Sequence, residues 1–107
     1  MSAADAIARL RAMCGGPRDG ALLRVSLANA LLVRNEVAGA VSELRRALVF
    51  DADYSAAWKL LGKTLADSGD TVAAIGAYEQ GIAAAIKRGD KQAQKEMQVF
   101  LKRLQKA

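Results

Sequence analysis

Few residues of this 107-residue chain are of the types that carry out catalysis or hold a metal. The chain contains no histidine, which excludes histidine-based acid–base catalysis, serine–histidine triads and histidine metal sites. Cys14 is the single cysteine, so neither an intrachain disulfide nor a thiolate metal site can form. No glycine-rich phosphate-binding motif is present, and the acidic residues are scattered, which leaves a carboxylate-based site as the one catalytic alternative. We therefore predict a protein that is not an enzyme and has no catalytic residue, cofactor or metal.

The elements that could position a binding site are helices, and the clearest pair spans residues 58–78. This stretch follows the pattern W-x-x-L-G-x-x-L and then, after a short link, A-x-x-x-Y. Leu61 faces a second helix, and Gly62 beside it has no side chain, so the two helices can cross closely there. Ala74 provides the small partner on the second helix, and Tyr78 fills the space one turn later.

The same pattern occurs once more, 34 residues earlier and without a gap. Residues of matching size recur, with Leu27, Ala28, Leu31, Ala40, Leu44 and Ala47 corresponding to Leu61, Gly62, Leu65, Ala74, Tyr78 and Gly81. Two such copies, in residues 21–54 and 55–88, resemble the tetratricopeptide repeat family. The resemblance implies an all-α fold, a right-handed α-α superhelix of antiparallel helix pairs. The chain departs from the family at Arg24, where an aromatic residue is usual, and at Ala52 and Ile86, where proline is usual.

Segments on either side of the two repeats are predicted to be capping helices, which gives about six helices in one domain, residues 1–107. The N-terminal cap spans residues 2–14, with Ser2 as N-cap and Asp5 as its capping-box partner. The C-terminal cap spans residues 90–106. The N-caps predicted for the other helices are Asp19, Asp53, Asp70 or Thr71, and Asp90.

Composition and charge narrow the class of protein further. Hydrophobic residues make up 52% of the chain and aromatic residues 5%, which suits close-packed helices. No apolar run is long enough to span a membrane, the N-terminus lacks a secretory signal, and the single cysteine favours a cytoplasmic location. The net charge of +5 belongs to residues 87–107, which carry seven basic and two acidic residues.

The resemblance implies that the first helix of each repeat lines a concave groove that binds a peptide or a helix of another protein. The predicted groove residues are Leu22, Val25, Asn29, Leu32 and Val33 in the first repeat and Lys59 and Lys63 in the second. The contribution of the first repeat is unusually apolar for exposed positions, which is typical of a binding site or subunit contact. The alternative is that the terminal helices fold over this stripe and bury it.

Some members of the family hold the terminal carboxylate of a peptide with lysines and asparagines on these first helices, and Asn29 matches one such position. Lys59 and Lys63 lie one turn apart on the first helix of the next repeat and could add charge-assisted hydrogen bonds. That clamp uses a third repeat, which this chain lacks, so plain solvated lysines are favoured. The predicted function is that of an adaptor or scaffold for another protein of unknown identity. Two alternatives are a homodimer formed through the apolar stripe and, less favoured, weak binding of nucleic acid or an anionic surface by the basic C-terminal helix.

Overall fold

The computed structural model describes residues 2–106, which form six helices and no strand. In chain order the helices are α1 (Ala3–Met13), α2 (Ala21–Val33), α3 (Val37–Phe50), α4 (Ser55–Asp67), α5 (Thr71–Arg88) and α6 (Lys91–Lys106). The all-α prediction and the six helices expected from the two repeats and their caps are confirmed over these residues. The prediction of a single domain over residues 1–107 stays a prediction, because the described residues form two compact units, 2–51 and 52–106.

Most helix ends follow the local signals of the sequence. Ser2 and Asp5 form the predicted capping box at the start of α1, and Asp70 accepts a hydrogen bond from the backbone N–H of Ala73. Asp90 likewise accepts from the N–H of Ala93 at 3.1 Å. The side-chain oxygens of these residues accept hydrogen bonds from backbone N–H groups of the first helical turn, which have no carbonyl partner within the helix.

Three helices end in one common motif that reverses the chain. After α2, α4 and α5 a residue takes a left-handed conformation, Asn35 with φ of 58°, Gly69 with φ of 88° and Gly89 with φ of 71°. The N–H of the following residue then bonds a carbonyl near the helix end, as Asp70 does with Leu65 at 2.9 Å. Glycine and asparagine tolerate this conformation better than other residues, and Asn35 and Gly69 occupy equivalent turns one repeat apart.

Two predicted N-caps are wrong. Asp19 does not cap α2, whose N-cap position is held by Gly20 without a side-chain bond. Asp53 does not cap α4, because Tyr54 precedes that helix, and the Asp53 carboxylate lies 2.9 Å from the Lys87 ammonium. Both aspartates stand one residue too early for the cap position, and their carboxylates bind the basic side chains of Arg24 and Lys87.

In the first unit α2 packs against both α1 and α3. Leu27, Leu31 and Leu44 are fully buried at the centre, and the repeat-position alanines let the helices approach closely. Ile7 of α1 is buried as well, which is what a capping helix requires. The predicted core positions of the first repeat therefore lie where their spacing placed them.

In the second unit α5 packs between α4 and α6. A Cβ added to Gly62 would come within 2.5 Å of the Tyr78 ring, so a side chain at Gly62 would displace that ring. Gly81 is equally crowded, with Met97 and Trp58 within 2.7 Å of its would-be Cβ. Both glycines thus have the close-contact role expected from the repeat pattern. Gly76, for which the sequence offers no role, has no heavy atom of another element within 4 Å of such a Cβ.

Candidate binding surface

The predicted groove residues of the first repeat all lie on one side of α2. Leu22 and Val33 are 69% and 77% exposed, Asn29 is exposed, and Val25 and Leu32 are half-buried. We call these five residues the α2 stripe. Leu23, Leu27 and Leu31 take the opposite, buried side, which follows from the 3.6-residue period of the helix. Leu22 and Val33 are therefore not covered by α1, the terminal helix of their own unit.

The two predicted lysines lie on α4, one turn apart, and each faces a carboxylate of its own unit. Lys59 Nζ is 3.4 Å from Glu96 Oε2 of α6, and both side chains are about one-third exposed. Lys63 Nζ is 2.9 Å from Asp67 Oδ2, and this pair is about two-thirds exposed. Ion pairs at this level of exposure are weak, typically below about 1 kcal/mol, so an incoming carboxylate can compete for either lysine.

The structure thus brings together the five residues of the stripe on α2 and, separately, Lys59 and Lys63 on α4. That the two sets line one common groove stays a prediction. Among residues 2–106 there is no cluster of three metal-binding side chains, and no helix has the length and apolarity needed to cross a bilayer.

A buried ion-pair cluster surrounds Arg24, and no motif of the sequence predicted it. Arg24 is 9% exposed, and its guanidinium donates to both oxygens of Asp19 at 2.9 and 2.7 Å and to Glu43 at 2.8 Å. Its central carbon also lies 5.9 Å from the centre of the Phe50 ring. A basic residue at a position that the repeat pattern assigns to the core was the available signal, since buried charges require partners.

The hydrogen bonds of this cluster shift the pKa values of Asp19 and Arg24 in the directions that favour their charged forms. The hydrogen bonds from Arg24 and then the N–H of Gly15 hold the pKa of the Asp19 carboxyl well below its ordinary value. Hydrogen bonds to Asp19 and then Glu43 raise the pKa of the Arg24 guanidinium. Because all its polar groups are satisfied, we interpret the cluster as a structural element that ties the start of α2 to α3.

A small pocket lies in the second unit, where the C-terminal end of α4 meets α6. It has a volume of about 250 Å³ and is lined by Lys63, Ala66, Asp67, Tyr78, Phe100, Arg103 and Leu104. Most of its lining is apolar, and the Tyr78 and Phe100 rings lie with their centres 5.8 Å apart. Burial and then the nearby Asp67 carboxylate raise the pKa of the Tyr78 hydroxyl. Sequence reasoning missed the pocket because it depends on where α6 packs.

Paired helices with matched small and large contact residues, and an apolar helix face left exposed, define a helical repeat protein. A scan against protein-family models finds no match. The TPR repeat-containing protein PA0015 of Pseudomonas aeruginosa is 47% identical over 89 residues, which are 83% of this chain and 85% of that protein. The chain therefore belongs to the tetratricopeptide repeat family, as its sequence pattern predicted.

Two solved structures agree with this assignment. The solution structure of protein BPP2914 from Bordetella parapertussis has a TM-score of 0.79 and 47% identity, covering 94% of this chain and 87% of that one. The tetratricopeptide repeat domain protein from Salinibacter ruber has a TM-score of 0.77 and 27% identity, covering 82% of this chain and 88% of that one. The fold of antiparallel helix pairs is thus shared with known tetratricopeptide repeat proteins.

Proposed function

We propose that this protein is a non-enzymatic interaction module that binds a peptide or a helix of another protein through the α2 stripe. The observation that carries this proposal is the exposure of Leu22 and Val33, two large apolar residues on one side of one helix. Membership of the tetratricopeptide repeat family supports it, because this fold generally mediates contacts between proteins.

Contact of the apolar side chains of the α2 stripe with water is unfavourable. Fully burying a leucine or valine side chain contributes about 1.5–3 kcal/mol, part of which is offset by the entropy lost on association. Asn29 adds a polar group on the same side of α2, which can set the register of a bound backbone through hydrogen bonds. The stripe can therefore provide a few anchor contacts for an amphipathic partner.

Lys59 and Lys63 are proposed as the polar contacts of the second unit. Each already faces a carboxylate, at 3.4 Å and 2.9 Å respectively, which is the chemistry they would offer to an acidic group on a partner. We further propose a cytoplasmic location for this adaptor, supported by a single, half-buried cysteine that has no partner for a disulfide.

A capture experiment tests the use of the stripe. Immobilised wild-type protein and the variants Leu22→Asp and Val33→Asp are exposed to an extract of the cells that express it, and retained proteins are quantified by mass spectrometry. A charge at either position must be desolvated when a partner covers it, so we expect retention of a specific partner to fall at least about tenfold.

The matched control is Val49→Asp, because Val49 is 83% exposed on α3 and lies outside the stripe. A partner retained by wild type and by Val49→Asp but lost from Leu22→Asp supports the proposal. Equal retention by all four proteins would show that binding uses another surface.

A further inference from the structure

We call the small, mostly apolar pocket between α4 and α6 the α4–α6 pocket. Its floor consists of the Tyr78 and Phe100 rings with Ala66 and Leu104. Tyr78 is 3% exposed and its ring rests against Gly62, so this part of the floor is held by the core. The floor is therefore preorganised and apolar, which lowers the entropic cost of binding an apolar group.

The rim of this pocket is charged and is positive overall. Lys63 and Asp67 form one ion pair there, 2.9 Å apart. Arg103 lines the same pocket and makes no ion pair with any residue in 2–106. Lys102 and Lys106 are exposed nearby on α6, so the positive field extends beyond the rim.

The pocket size limits the class of ligand. A volume of about 250 Å³ lies below the roughly 300–1,000 Å³ that holds a cofactor or a drug-sized molecule. One aromatic side chain fits this space, with the rest of its chain outside. An aromatic group among acidic residues would match both the apolar floor and the cationic rim.

We infer that the α4–α6 pocket binds an aromatic side chain of an acidic peptide segment of a partner protein. The ring stacks among Tyr78, Phe100 and Leu104, and flanking carboxylates of the peptide pair with Arg103 and Lys63. This inference rests on the proposed function, because it specifies the chemistry of the protein partner. It concerns a different element from the α2 stripe, so each can fail without the other.

Nuclear magnetic resonance with a defined probe tests this inference on the full chain. The probe is the blocked pentapeptide Asp-Glu-Phe-Asp-Glu, titrated into isotope-labelled wild type at low salt. We expect saturable shifts of the amide signals of Ala66, Phe100 and Leu104, weakening as salt is added. A probe with alanine in place of phenylalanine should bind at least about tenfold more weakly, and so should one with uncharged amides in place of its acids.

Two charge reversals on α6 separate the pocket from general attraction to a basic helix. Arg103→Glu should weaken binding of the phenylalanine probe about tenfold, whereas Lys91→Glu, at the other end of α6, should change it little. Both side chains are exposed, so neither variant threatens the fold. Any of three results would overturn the inference: equal binding of the phenylalanine and alanine probes, amide shifts that map to α2, or no binding up to several millimolar probe.

If Leu22→Asp abolishes capture of a partner but the probe does not bind the α4–α6 pocket, only the inference about the pocket fails. If the pocket binds the probe while the stripe variants capture their partners normally, the role of the stripe fails instead.

Discussion

Arg24 occupies the position at which the equivalent residue of the second repeat is Trp58. A guanidinium in place of an aromatic ring is tolerated because Asp19, Glu43 and the Phe50 face surround it. Removing Arg24 would leave the carboxylates of Asp19 and Glu43 without their cationic partner. Leaving a buried charge uncompensated in this way is strongly destabilising. The substitution is therefore accommodated by partners that the second repeat does not need.

At this scale the acid stability of the protein is expected to depend on Asp19. Its pKa is lowered on folding from an ordinary value of 3.8, so its contribution is fully present above that pH and is lost as the pH falls further. We expect Asp19→Asn to lower the stability at pH 7 and to flatten the loss of stability below about pH 4. Urea denaturation between pH 2 and pH 7 measures both effects.

The control for this experiment is Asp67→Asn, whose pair with Lys63 is about two-thirds exposed and should contribute little to stability. An unchanged acid profile in Asp19→Asn would mean that other carboxylates dominate acid unfolding.

At the scale of single elements, glycine has opposite effects on stability at one position in α4 and one in α5. Gly62 is required because the Tyr78 ring lies where its side chain would be. Gly76 lies inside α5 with ordinary helical geometry and open space around its would-be Cβ. Glycine inside a helix is destabilising relative to alanine because the unfolded chain is more flexible.

We therefore expect Gly76→Ala to stabilise the protein by about 0.4–1 kcal/mol. Gly62→Ala is the matched comparison and should destabilise it by about 1–3 kcal/mol, because the ring must move to admit a methyl group. Equilibrium denaturation in urea gives both values. If Gly76→Ala is instead destabilised, the space beside Gly76 must be occupied in solution by another group.

For the whole molecule, the main question is whether the exposed apolar residues serve another protein or a second copy. Stable dimers bury roughly 800 Å² on each partner and use 20–30 residues a side. The α2 stripe offers five residues, which is too few for a stable dimer on its own. The charge of the chain is also uneven, because its net +5 resides in residues 87–107 and copies would repel there.

We expect sedimentation at micromolar concentration to give the monomer mass of 11.3 kDa. A dimer that dissociates in the double variant Leu22→Asp, Leu32→Asp would instead identify the stripe as a subunit contact and would replace the adaptor role by self-association. Repeating the run at high salt separates apolar association, which salt does not weaken, from electrostatic association.

The sequence by itself determined the helices and their pairing. The 34-residue period, in which small residues pack against large ones, can be read from the sequence without knowing any contact between distant residues. Helix ends were likewise predictable at Ser2, Asn35, Asp70 and Gly89, because caps and left-handed turns depend on neighbouring residues.

Only the tertiary structure decided which side chains bind one another across elements. Asp19 and Asp53 look like caps in the sequence, yet the Asp19 carboxylate binds Arg24, whose other partner is Glu43 of α3, and the Asp53 carboxylate binds Lys87 of α5. Glu43 and Lys87 are brought within reach only by the packing of the helices. The exposure of Leu22 and the α4–α6 pocket likewise follow from how whole helices pack, through distances that no local pattern encodes.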